Sequence, residues 1–189
     1  RGCFHNHTNA SDGKGTLEDM RASASRLGWE YLGIADHSKA SFQARGLDED
    51  RLRSQIEEIR SINENRKEGA VLLAGSEVDI LRDGSLDYDD SIWPELDYIV
   101  ISVHAPLTGM SESEMTDRII RAMSAPIPVR KILGHATGRL LLRRDAYPVN
   151  LGRILEAAVA HGVSIELNAN PRRLDLDWRW WRRAKEAGG

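Results

Sequence analysis

Cys3-Phe4-His5-Asn6-His7-Thr8-Asn9-Ala10-Ser11-Asp12-Gly13 is the stretch around which the chain is organised. Two histidines stand at a spacing of two, and Asp12 follows His7 by five residues. If Gly2 to His7 is a strand, His5 and His7 point to the same face and aim their imidazoles at one point. Imidazole and carboxylate together suit a borderline divalent ion such as zinc or manganese. Two surface histidines near a terminus would read the same way, so the placement of the later histidines decides.

Outward from that stretch, β-rich runs and helical periods alternate. Thr16-Leu17-Glu18-Asp19 reads as a capping box opening a helix that Gly28 closes. Trp29 to Ala35 is a short buried strand ending in Asp36-His37-Ser38. Asp48 to Glu68 places Leu52, Ile56, Ile59 and Ile62 on one helical stripe. Val71 to Ile80 is a strand with Glu77 near its end, and Leu96 to Ser102 is another that ends at His104. Ser111-Glu112-Ser113-Glu114 is a second capping box, opening a helix to about Ser124. Lys131 to Leu133 runs into Gly134-His135. Leu151 to His161 is a helix closed by Gly162. Val163 to Leu167 is a strand ending in Asn168-Ala169-Asn170-Pro171, and Asp175 to Glu186 begins another helix. This α/β alternation predicts a parallel sheet with covering helices. Right-handed crossovers curl such a series into a barrel or a doubly wound sheet.

Composition bounds the function. The 189 residues suffice for one domain, 1–189, with a sizeable core. A net charge of -3 carries no global basic signature, so a nucleic-acid partner does not follow from charge. No apolar run approaches membrane-span length, so no membrane partner is expected. The single cysteine, Cys3, excludes an intrachain disulfide framework and fits a reducing, cytoplasmic setting. The chain opens on its first strand and stops at Ala187-Gly188-Gly189, where a helix should hand over to a strand; a fragment of a longer protein is the expectation.

His5 and His7, Asp36-His37, Glu77, His104, His135 and Asn168/Asn170 all fall at or just past strand ends. In parallel α/β folds that end of the sheet carries the chemistry. One such residue is usually an ordinary loop residue. Five histidines and a glutamate on one rim would repel on protonation and strand a buried acid unless they held metal. His161, the sixth histidine, lies at a helix C-terminus, where a cation complements the dipole, and reads as structural.

These motifs resemble the PHP (polymerase and histidinol phosphatase) phosphoesterase family: His5-x-His7 with Ser11-Asp12-Gly13, Ala35-Asp36-His37-Ser38, Glu77, Ser102-Val103-His104 and Gly134-His135. Leu73 to Leu81, Gly134 to Leu141 and Glu166 to Pro171 resemble the PHP domain of bacterial family X DNA polymerases. The resemblance implies a distorted seven-stranded (β/α) barrel, with or without its last strand or strands in this chain. It also implies up to three divalent ions: zinc, manganese or iron. By motif, His5 and His7 bind the first metal, Glu77 bridges the first and second, His104 and His135 complete the second, and Asp12 and His37 hold the third. The family's final Asp-x-His does not occur after Asn170.

Such ions generate hydroxide near neutral pH and clamp phosphoryl oxygens, so hydrolysis of a phosphate ester is expected. Arg139, Lys39 and Arg45 are the candidate cations for phosphate, each otherwise a solvated loop charge. Asp36, next to a ligand, is a candidate to orient it. Asn168 and Asn170 either shape the site or serve a turn before Pro171. Trp178, Trp180 and Trp181 with Arg179, Arg182 and Arg183 read first as a helix whose Trp178 and Trp181 pack inward, and second as a stacking platform. The subgroup implies action on DNA 3′ ends, as 3′-5′ exonuclease or 3′-phosphatase, with a polymerase domain in the parent chain. The alternatives are a small-molecule phosphatase of the histidinol phosphate type, or a non-catalytic docking module of a DNA polymerase. A metal-dependent amidohydrolase ranks below these, because Glu77 stands where that class wants a lysine.

Overall fold

A computed structural model describes residues 1–186. The expectation placed on Ala187-Gly188-Gly189 lies outside the described residues. The fold is α/β, and the chain partitions into two compact units that interleave in sequence. The first comprises Arg1–Val78, Asp87–Val100 and Ile127–Arg130. The second comprises Asp79–Leu86, Ile101–Pro126 and Lys131–Gly189.

In the first unit, strands β1 (Gly2–Cys3), β2 (Tyr31–Ile34), β3 (Val71–Asp79, its last residue in the second unit) and the start of β4 (Tyr98–Ser102) lie side by side in chain order. The β1–β2 and β2–β3 pairs are parallel, with Tyr31 opposite both Gly2 and Val71. Helix α1 (Leu17–Arg26) starts at the Thr16 capping box, where Thr16 and Asp19 satisfy each other's backbone, and ends before Gly28 at φ 69°. Helix α2 (Glu49–Glu64) is capped by Asp48. It buries Leu52, Ile56 and Ile59, each contributing roughly 1.5–3 kcal/mol of apolar burial. Ile62 is only half-buried, and the helix stops at Asn65 rather than reaching Glu68.

The first strand is shorter than the expected Gly2–His7. Its ladder with β2 ends at Cys3 opposite Leu32. Beyond it, side chains take over: Asn6 Nδ2 donates to the Gly33 carbonyl at 3.0 Å, and the Tyr98 hydroxyl donates to the Phe4 and Ile34 carbonyls. A regular alternation therefore does not carry His5 and His7; an irregular segment pinned by side chains does.

In the second unit, the end of β4, β5 (Arg130–Leu133, from Lys131) and β6 (Ser164–Ile165) follow in order, with β5 and β6 parallel. Helix α3 (Glu112–Met123) opens on the Ser111 capping box and packs against α4 (Leu151–His161), which closes on Gly162 at φ 62°. Helix α5 (Trp178–Glu186) begins three residues later than Asp175. Asp175 is buried and accepts from the Thr137 N–H, and Asp177 accepts from the Arg179 N–H. The inward packing expected of Trp178 and Trp181 does not occur, for Trp178 is 72% exposed and Trp181 47%. Trp180 and Ala184, one helical turn apart, are the half-buried positions instead. Among the described residues, no helix is long and apolar enough to cross a membrane.

Candidate metal centre

The first unit gathers five of the expected ligands. Glu77 sits in β3 with its side chain 1% exposed, and a backbone bridge sets His37 beside it. Three imidazoles converge on one Glu77 oxygen, Oε2: His5 Nε2 at 3.2 Å, His7 Nε2 at 3.4 Å and His37 Nδ1 at 3.2 Å. Asp12 reaches the other side of two of these rings, 3.4 Å from His7 Nδ1 and 3.6 Å from His37 Nε2. The His7 and His37 rings stack at 4.5 Å. Two overlapping groups result, His5/His7/Glu77 and His7/Asp12/His37, each with its ligand atoms within 4.8 Å of one another.

This donor set fits a divalent cation. Burial, aided by the neighbouring His37 and His5, lowers the His7 pKa to about 4, against the pull of Glu77 and Asp12. The ring is therefore neutral at neutral pH, the form that ligates metal. Its Nδ1 is buried and makes no hydrogen bond, an arrangement that costs free energy unless a cation uses the lone pair. The mixture of imidazole and carboxylate accepts zinc, manganese or iron.

The candidate phosphate cations lie elsewhere in hydrogen-bonding terms. Arg45 donates to the Asn9 and Ser11 carbonyls. Lys39 pairs with Glu49 at 2.5 Å and lies 5.8 Å from the Tyr88 ring centroid, and the pair raises the Lys39 pKa. Asp36 turns away from simply orienting its neighbour: it accepts from Thr8, Ser11 and Gln55.

The second unit carries the other two expected ligands, His104 and His135. His104, just past β4, places Nδ1 2.9 Å from Asp79 Oδ1, and its ring meets that of His135 edge to face at 5.4 Å. His135 stands at φ 25°, a strained backbone held by its N–H donating to Glu166 at 2.7 Å and its carbonyl accepting from Gly138 at 2.8 Å. Asp79 and Glu166 were missed as site residues. The available signal was period-two spacing: Asp79 follows Glu77 by two on one strand, so the two acids share a face. Arg139 is committed to the Arg173 and Leu174 carbonyls and to Asp177 at 3.3 Å. Asn168 and Asn170 make local turn bonds, accepting from Asn170 N–H and Arg172 N–H respectively.

The signature of the PHP domain matches residues 4–170. The chain belongs to the PHP domain family. Within that family it is related to the PHP domain of family X polymerases: it is 36% identical over 188 residues to the DNA polymerase/3'-5' exonuclease PolX of Bacillus subtilis, covering 100% of this chain and 32% of that protein. It is 28% identical over 168 residues to a probable phosphatase of Caldanaerobacter subterraneus, covering 87% of this chain and 60% of that one. A probable phosphatase of Clostridium novyi is 27% identical over 167 residues, covering 87% and 62%. This PHP domain thus spans about a third of the polymerase and under two thirds of the phosphatases. Its ligand clusters and family support a metal-dependent hydrolase class.

Proposed function

We propose that this PHP domain hydrolyses phosphate esters with bound divalent metal. The observation that carries the reading is the convergence of three imidazoles on Glu77 Oε2. By motif, His5 and His7 would hold a first ion, His104 and His135 a second, and Asp12 with His37 a third, with Glu77 a ligand to the first and second. Bound ions of this kind lower the pKa of water and offset the charge of a phosphoryl group. The chain's own contribution is to fix donors of the right type and protonation state. Asp79 orients His104 so that Nε2 faces away from the carboxylate, and the Glu166–His135 bond fixes the backbone that carries the second imidazole. Each of the three candidate phosphate cations is already engaged: Lys39 with the Glu49 carboxylate, Arg45 with backbone carbonyls, and Arg139 with backbone carbonyls and Asp177.

For the substrate, the phosphatase relatives support a phosphatase, and we take its substrate as a small phosphate monoester of the histidinol phosphate type. A second reading, the 3′ end of DNA with a polymerase domain in the parent chain, is supported by the higher identity to PolX. Steady-state hydrolysis with manganese of histidinol phosphate, a 3′-phosphorylated oligonucleotide and a recessed 3′-hydroxyl duplex separates the two. Turnover of the monoester alone selects the first reading, and release of phosphate or nucleotides from DNA selects the second. No hydrolysis of any of the three by the metal-loaded chain leaves the docking-module alternative.

A further inference from the structure

The strand pattern leaves Asp12 without the support a ligand needs. Its side chain is 52% exposed, so packing does not hold it, yet it is placed against two rings at 3.4 and 3.6 Å. The loop that carries it must therefore be rigid. Two sets of bonds reach that loop from opposite chemical sides. Buried Asp36 takes the loop's donors: Thr8 N–H at 2.8 Å, the Thr8 hydroxyl at 2.6 Å and the Ser11 hydroxyl, with Gln55 Nε2 of α2 at 2.7 Å completing its shell. Arg45 and Arg51 take the loop's acceptors, three consecutive carbonyls. Arg45 Nη2 donates to Asn9 and Ser11, and Arg51 Nη2 donates to Ala10 at 2.7 Å. Arg51 also ties down the segment bearing Arg45, donating to the carbonyls of Arg45 and Gly46 at 3.1 Å each. The loop closes on itself through Gly13 N–H to the Thr8 carbonyl at 2.8 Å, and so tightly that a Cβ on Gly13 would lie 2.2 Å from the His7 carbonyl oxygen.

We infer that Asp36, Arg45 and Arg51 are positioning residues that lock the Thr8–Asp12 loop and so hold Asp12 ready to ligate a cation with His7 and His37. The inference rests on the metal reading above. It gives Arg45 a task other than binding phosphate, and gives Asp36 a task other than orienting His37. Buried charge-assisted bonds to a carboxylate are strong, and outer partners of this kind change metal affinity by about 10–100-fold.

The test is a thermodynamic cycle on manganese binding, read by calorimetry on the chain with Asp12→Ala, Asp36→Asn and both together. Asp36→Asn is expected to weaken the binding event that Asp12→Ala removes, by about 10–100-fold, and to change little when added to Asp12→Ala. A folded Asp36→Asn chain with the wild-type isotherm, or two losses that simply add, overturns the inference. Should Asp36→Asn fail to fold, Arg45→Met with Arg51→Met serves, with the same non-additivity expected and an unchanged isotherm overturning it. Proteolysis at Thr8–Asp12 in chelator reads the lock without metal: faster cleavage in the variants supports it, and unchanged cleavage overturns it. A wild-type chain that binds no manganese would sink the metal reading, while this cleavage assay would still report on the loop.

Discussion

The two units hold their histidines by different means. In the first, His5, His7 and His37 all approach the same carboxylate oxygen of Glu77, and that oxygen is the organising point. In the second, the two candidate ligands meet different acids: Asp79 meets the ring of His104, and Glu166 holds the backbone of His135. The first arrangement concentrates donors and makes them interdependent. The second gives His104 and His135 different acids, with their rings in edge-to-face contact. Losing the shared acid should therefore be catastrophic, and losing a private one graded.

Glu77→Ala tests the first half of that contrast and carries the largest expected effect. Three imidazoles lose their common partner, and the metal reading makes Glu77 the ligand of two ions. Hydrolysis and most metal uptake should vanish, a loss beyond the roughly 100-fold ceiling typical of outer partners. Turnover and metal content, measured together on folded protein, check this; near wild-type values would break the comparison at its root.

Asp79→Asn tests the other half. The amide keeps the shape but can present an N–H to His104 Nδ1, which favours the wrong tautomer. A fall of about 10–100-fold in activity or metal affinity is expected, with the rest of the uptake retained. A loss as complete as that of Glu77→Ala would show that the second unit is no less interdependent than the first.

A pH titration of the metal-free chain sharpens the contrast further. The folded state holds His7 at about 4, below the ordinary 6.5, mainly because it is buried. Between those values the unfolded chain binds a proton that the folded chain does not, so stability rises with pH. The stability is fully present above pH 6.5 and is lost as pH falls toward 4, by up to roughly 3 kcal/mol. Denaturant melts in chelator between pH 7 and 4 measure it. His7→Gln should flatten the profile in that window.

How much of this was legible follows from the same physics. The candidate ligands stood out because metal chemistry restricts residue type and strand ends restrict place: His5, His7, His37, Glu77, His104 and His135 needed no packing information. Both capping boxes, at Thr16 and Ser111, are local and appear as read. The strand expected through His7 failed because Tyr98, distant in sequence, takes the Phe4 carbonyl. The supporting groups were the least visible. Arg51 looks like any exposed helix arginine until its loop partners are known, and Asp79 like any acid at a strand end. Trp178 and Trp181 misled because hydrophobicity gives a period but not which turn of the helix is covered, and the half-buried positions are Trp180 and Ala184.

The smallest expected effect belongs to His161, the histidine set apart from both arrangements. It is exposed in the last turn of α4, before Gly162 turns the chain away. When protonated, an imidazole there interacts with the unsatisfied carbonyls of the helix end, worth about 0.3–1 kcal/mol at an exposed site and less in salt. His161→Ala should therefore change stability by under about 1 kcal/mol, and by less as ionic strength rises. Turnover and metal content should stay at wild-type values. If the rate instead fell sharply with the fold intact, a sixth histidine would serve the chemistry, and neither the shared-acid nor the private-acid arrangement would describe the site.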